Sequence, residues 1–161
     1  MKLKMCKFMS AVALVALATG ARADDVPALK DVFKDHFKMG VALNQRQFSE
    51  QDTAGAALAK HHYNSIVAEN EMKWERIHPR PGPDGYDFRA ADRFVEFGEK
   101  NGMYIVGHTL LWHAQTPRWV FQGEGTNAIT REVLLERMRE HIHTVVGRYK
   151  GRIHAWDVVN E

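Results

Sequence analysis

Three short runs of this chain collect residues that packing alone does not require. They are Glu69-Asn70-Glu71-Met72-Lys73-Trp74, then His108-Thr109-Leu110-Leu111-Trp112-His113-Ala114-Gln115, then Trp156-Asp157-Val158-Val159-Asn160-Glu161. Each closes or follows an apolar stretch. Glu161 lies behind a hydrophobic run, so a partly desolvated carboxyl is expected there. Its acid form would then persist toward neutral pH, as a general acid requires. Trp74 and Trp112 offer flat apolar faces. Asn70, Asn160, Gln115, His108 and Lys73 offer hydrogen-bonding groups. Flat faces among amides and imidazoles suit a polyhydroxylated ring better than a phosphate or an apolar acid. For Trp74 and Trp156 a place in the core is the commoner role, because tryptophan is mostly buried.

Other chemistries fit less well. The chain has nine histidines but no H-E-x-x-H. His108 and His113 would face opposite sides of a continuous strand, and His141 and His143 do not share a helix face. Neither pair has metal-ligand geometry, so no metal site is expected. Most of the histidines are read as surface or hydrogen-bonded. The stretch Leu43-Asn44-Gln45-Arg46-Gln47 has no glycine-rich phosphate turn, and no G-x-x-x-x-G-K-[ST] run occurs, so no nucleotide cofactor is expected.

The elements that carry these runs alternate in type. Phe37–Leu43, Ser65–Ala68, Tyr104–Gly107 and Ile153–Val159 read as short apolar strands. Ser49, with Asp52 three residues on, is a plausible cap for a helix from Gln51 to His62. His78 to Gly85 holds three prolines and two glycines and reads as a loop. Asp87 caps a helix whose Ala91, Phe94, Val95 and Gly98 share one face, and Asn101-Gly102 stops it. Thr130 caps a third helix with the stripe Leu134, Met138, Ile142, Val145 and Tyr149, ended by Gly151. The charged run Arg131 to Arg139 is its solvated face. Met39, Met72 and Met138 read as core filler. The order β-α-β-α-β-α-β, with mostly apolar strands, implies an α/β fold of parallel strands buried on both faces. An open doubly wound sheet and the first half of a (β/α)8 TIM barrel both fit, and in either the strand C-termini carry the chemistry.

Residues 1–23 read as a secretory signal peptide: Lys2, Lys4 and Lys7, then the apolar run Phe8 to Ala18, then Ala21-Arg22-Ala23. The apolar run is far shorter than the roughly 20 residues of a spanning helix. A secreted or periplasmic product starting at Asp24 is expected. Without Lys2, Lys4, Lys7 and Arg22 the net charge falls from +2 to −2. That removes the electrostatic basis for binding nucleic acid or an anionic membrane. The single cysteine, Cys6, leaves with the signal, so no disulfide or thiol chemistry remains.

At the three strand ends the sequence resembles glycoside hydrolase family 10, the endo-1,4-β-xylanases. The matching stretches are Ala68 to Trp74, Gly107 to Gln115 and Trp156 to Glu161, in the same order and at similar separations. The likeness extends from about Leu29 to Glu161. It implies a retaining glycosidase on a (β/α)8 barrel, acting on xylan or xylo-oligosaccharides without a cofactor. By resemblance Glu161 is the acid/base, and Asn160 bonds the sugar that forms the covalent intermediate. Glu69, Asn70 and Lys73 bind the next xylose outward on the non-reducing side. His108 and Trp112 line the catalytic subsite, with His113 and Gln115 as neighbours.

Retention needs two carboxyls about 5–5.5 Å apart. The family's nucleophile lies in the second half of the barrel, and residues 24–161 cover about four βα units. Strand onsets near 37, 64, 103 and 152 imply about 300 residues for eight units. The sequence therefore reads as part of a longer enzyme, inactive alone. A related β-glucanase and a half-barrel that binds sugar without cleaving it, or a decayed remnant, are the competing readings.

Overall fold

The computed structural model describes residues 26–161, apart from Glu124 and Thr126. The signal peptide read at residues 1–23 lies outside the described residues. Four parallel strands form one sheet in the order β1 (Gly40–Leu43), β2 (Ser65–Ala68), β3 (Tyr104–Trp112), β4 (Ala155–Asn160). The crossovers carry α3 (Thr53–His62) after β1, α5 (Arg89–Lys100) after β2 and α6 (Arg131–Arg148) after β3. Shorter helices are α1 (Leu29–Val32), α2 (Gln45–Phe48) and α4 (Trp74–Ile77). The order matches the first βα units of a (β/α)8 barrel.

Several boundaries differ from the sequence reading. β1 starts at Gly40, because Phe37 and Lys38 stay exposed and unpaired with β2. α2 is an additional helix, capped by Asn44, whose side chain accepts from the Gln47 N–H while the Gln47 side chain reaches back to Asn44. α3 starts at Thr53: Asp52 is its cap and accepts from Gly55 N at 3.0 Å. Asp87 sits one residue before the cap position of α5, which is Phe88, yet its carboxylate still accepts from Arg89 N at 3.1 Å. Thr130 caps α6 as expected, accepting from Val133 N.

The core lies on one face of the sheet. Ile66 and Ala68 of β2 and Ile105 of β3 are buried against Phe94 and Val95 of α5 and Val145 of α6. Each of these side chains larger than Ala68 contributes about 1.5–3 kcal/mol by leaving water. Along β2 and the start of β3 burial alternates, so burial on both faces does not hold for the described residues. The helices cover one side, and the other carries His108 and Asp157. Two glycines set the close approaches. A Cβ on Gly98 would meet Ile105 at 2.6 Å, and one on Gly107 would meet the Trp156 ring at 2.3 Å. Asp92 of α5 then ties the end of α6, accepting from Arg148 (2.9 and 2.6 Å) and from the Tyr149 hydroxyl (3.0 Å).

Candidate active site

β3 is longer than its apolar start implies. It continues to Trp112, so His108 to Trp112 belong to the strand itself. His108 and Thr109 are joined by a cis peptide, and the pairing with β4 shifts between His108 and Leu111. After that shift Trp112 pairs with Asn160, one residue before Glu161. The Trp112 indole Nε1 donates to Glu161 Oε2 at 3.2 Å. The carboxyl is thus oriented, and its second oxygen has no hydrogen bond among the described residues. Among the described residues Glu161 is exposed, one residue past β4, the last of the four described strands.

A cation and two amides form the next part of the wall. Lys73 Nζ donates to Asn70 Oδ1 (3.1 Å) and Gln115 Oε1 (2.7 Å), and Gln115 Nε2 donates to the same Asn70 oxygen (3.2 Å). Both amide orientations are fixed by these bonds, which leaves N–H donors of Asn70 and Gln115 to offer to a ligand. Lys73 is only 8% exposed, and its ammonium lies 4.8 Å from the centre of the Trp112 ring. Gln115 holds left-handed backbone, φ 48°, and its carbonyl accepts from Glu75 N at 2.9 Å. Glu71 clamps the same segment, its carboxylate accepting from Asn70 N (3.1 Å) and Gln45 N (3.2 Å).

His108 is held differently. Its Nδ1 lies 2.8 Å from Asp157 Oδ2, directly across the β3–β4 ladder. With Asp157 ionised, Nδ1–H donates and Nε2 is left for a ligand. Thr109 Oγ1 donates to the Asp157 carbonyl at 2.9 Å. Sequence reasoning missed Asp157 as a site residue, because the pairing depends on the β3–β4 register. It also missed Glu71.

The remaining expected residues are placed less tightly. Glu69 is exposed beyond β2, bonded through its main chain to Leu43. His113 is exposed, with its ring edge-on to Trp112 at 5.6 Å. Asn160 and Glu161 border a mostly apolar groove of about 320 Å³, floored by Leu111, Val120, Leu134 and Met138. Trp74 is core, stacked on His141 at 4.0 Å. Trp156 is half-buried beside Gly107.

His141 departs from the surface role expected of most histidines. It is buried and neither ring nitrogen has a partner among the described residues. Burial, aided by neighbouring His78, pushes it down to about 3. His78 is buried too and is also lowered, chiefly by burial. Arg137 is likewise not a solvated charge, since its guanidinium donates to the carbonyls of Trp119, Val120 and Gln122. Among the described residues no group of three or more His, Cys, Asp or Glu is arranged to hold a metal ion.

The family model described as Glycosyl hydrolase family 10 matches residues 28–161. The endo-1,4-beta-xylanase A of Thermotoga neapolitana is 49% identical over 140 residues, which are 86% of this chain and 13% of that protein. The beta-1,4-xylanase of Dictyoglomus thermophilum is 48% identical over 141 residues, 88% of this chain and 37% of that protein. A solved endoxylanase retrieved from a sugarcane-soil metagenome superposes with a TM-score of 0.78 at 46% identity, over 84% of this chain and 40% of that one. The chain thus spans between about an eighth and two fifths of the length of these relatives.

Proposed function

The chain belongs to glycosyl hydrolase family 10, and from that membership we propose that it supplies the acid/base half of an endo-1,4-β-xylanase site. The observation that carries this reading is a continuous wall. Glu161 is bonded to Trp112, Trp112 faces Lys73, and Lys73 orders Asn70 and Gln115. An aromatic face and oriented amide donors bind a hydroxylated ring, and a carboxyl beside them can pass a proton to a glycosidic oxygen.

In the proposed reaction Glu161 protonates the leaving oxygen while a second carboxylate attacks the anomeric carbon. Glu161 then takes a proton from the water that releases the sugar. Asn160 bonds the sugar at the reacting centre, and His108 and Trp112 line its subsite. Glu69, Asn70 and Lys73 hold the next xylose outward. His113 and Gln115 support that wall. The 161 residues contain no glutamate that the family resemblance assigns as nucleophile, so we propose that they do not cleave xylan alone. The chemistry needs a barrel with further strands.

The test uses these residues within a full eight-unit barrel, offered xylan, cellulose and mixed-linkage β-glucan. Internal cleavage of xylan well above the two glucans, with the β-anomer formed first, is expected. Faster cleavage of a glucan, or the α-anomer first, would overturn the reading.

A further inference from the structure

A second cleft shares with the sugar wall the turn that carries Asn70 and Glu71. It lies where α2 follows β1, where the turn carrying Glu71 follows β2, and where α5 begins. Gln45, Glu71, Arg76, Asp87, Arg89 and Arg93 line it, around about 320 Å³. That is near the lower end of the range for small-ligand pockets, about 300–1,000 Å³.

The charges in it are unevenly matched. Asp87 is held by Arg89 through both oxygens, at 2.9 and 2.5 Å, which holds its carboxyl down to about 2. Glu71 has both oxygens occupied by the N–H groups of Gln45 and Asn70. Arg76 and Arg93 are exposed, and their guanidinium groups have no ion pair or hydrogen bond among the described residues. Three guanidinium groups therefore line one cleft with two carboxylates, and the Arg76 and Arg93 forks make no ion pair with either carboxylate. Planar forks match a carboxylate bidentately.

The cleft is linked to the sugar wall through the Asn70–Glu71 turn. Contacts run from Glu161 to Trp112, to Lys73, to Asn70, and from the Asn70 main chain to Glu71, which lines the cleft. We propose that this arginine cleft receives a uronic acid carried as a side substituent on the xylan chain, its carboxylate gripped by Arg76 and Arg93. The proposal rests on the xylan reading above. Neutral xylose would satisfy the wall but leave these two cations without a partner.

Calorimetric titration of a full eight-unit barrel carrying these residues, inactivated by Glu161→Gln, tests it, using a neutral xylo-oligosaccharide, the same oligosaccharide bearing one glucuronic acid, and free glucuronate. The substituted oligosaccharide should bind about fivefold tighter than the neutral one, a gain set by two exposed ion pairs and erased by salt. Arg76→Ala with Arg93→Ala should remove the gain and leave neutral binding unchanged. Arg76→Lys with Arg93→Lys should keep part of it, through charge without the fork. Equal affinity for the two oligosaccharides, or a gain that survives the double alanine variant, overturns the cleft while the xylan reading stands. Free glucuronate binding as tightly as the substituted oligosaccharide also overturns it, since the cleft would then act apart from the polymer. No binding of either oligosaccharide overturns the xylan reading and this inference together.

Discussion

Lys73 is a buried cation whose hydrogen bonds go to amide oxygens rather than a carboxylate. Two amide oxygens and an indole face take the place of a counter-ion, so its charge also orders the donors that a sugar would meet. His108 depends on one neighbour in the same way, because Asp157 at 2.8 Å fixes which ring nitrogen faces outward. Asp157→Ala should free the imidazole to rotate. A misplaced group in a reacting site can cost about a hundredfold, so kcat/KM for xylan in a full barrel should fall by between about ten- and a hundredfold. Asp157→Asn should fall less, since its amide oxygen still accepts from Nδ1–H. Steady-state kinetics of both variants check this, and an unchanged kcat/KM for Asp157→Ala would contradict it. The residue types of the wall were legible in the sequence, because aromatic, amide and acidic groups recur behind three apolar runs. The His108–Asp157 pair was not, since it depends on a β3–β4 register that spans 49 positions.

At the scale of elements, α4, α6 and the loop between α4 and α5 meet through stacked rings. Trp74 lies on His141 at 4.0 Å and 6°, and His78 lies on Tyr86 at 3.6 Å and 13°. An unfolded chain protonates these imidazoles near the ordinary 6.5, whereas burial holds folded His141 to about 3. Between those values the unfolded state binds more protons. The stabilisation is therefore complete above about pH 6.5 and is lost as pH falls toward 3. His141 alone should cost about 2 kcal/mol between pH 6.5 and 5. Urea midpoints measured across that range check it. His141→Phe keeps a stacked ring but cannot titrate, so its profile should be flatter. A wild-type profile level from pH 7 to 5 would contradict the assignment. In the sequence His141 falls three residues past Met138, a slot on the buried stripe, but its residue type argued for water. The same difficulty hid the length of β3, because its second half reads as polar and aromatic. It remains a strand through pairing with β4. Caps were partly legible: Thr130 is right, Asp87 acts from one position early, but Ser49 closes α2 instead of opening α3, which Asp52 caps.

At the scale of the whole molecule, the alternation of strand and helix made the parallel α/β architecture legible. Which faces are covered was not, since composition does not say where helices run out. In the described residues β4 is an edge strand, with Val159 69% and Val158 53% exposed, and Phe121, Val133 and Leu135 exposed on nearby elements. Unpaired strand edges beside apolar surface invite association. Residues 24–161 produced alone should elute beyond monomer size in gel filtration with light scattering. A stable monomer at high concentration would contradict that. In the proposed reaction the same architecture divides the chemistry, with Glu161 as acid/base at the end of β4 and its partner carboxylate supplied from elsewhere in a barrel. Glu161→Gln in a full barrel tests this most directly. General acid–base catalysis is worth about 10²–10⁴-fold, so xylan turnover should fall by that order. Aryl xylosides with good leaving groups, which need little protonation, should lose far less in the glycosylation step. Azide, which needs no general base, should restore their turnover as β-xylosyl azide. Unaltered xylan turnover, or equal losses on good and poor leaving groups with no azide product, would remove Glu161 from the acid/base role.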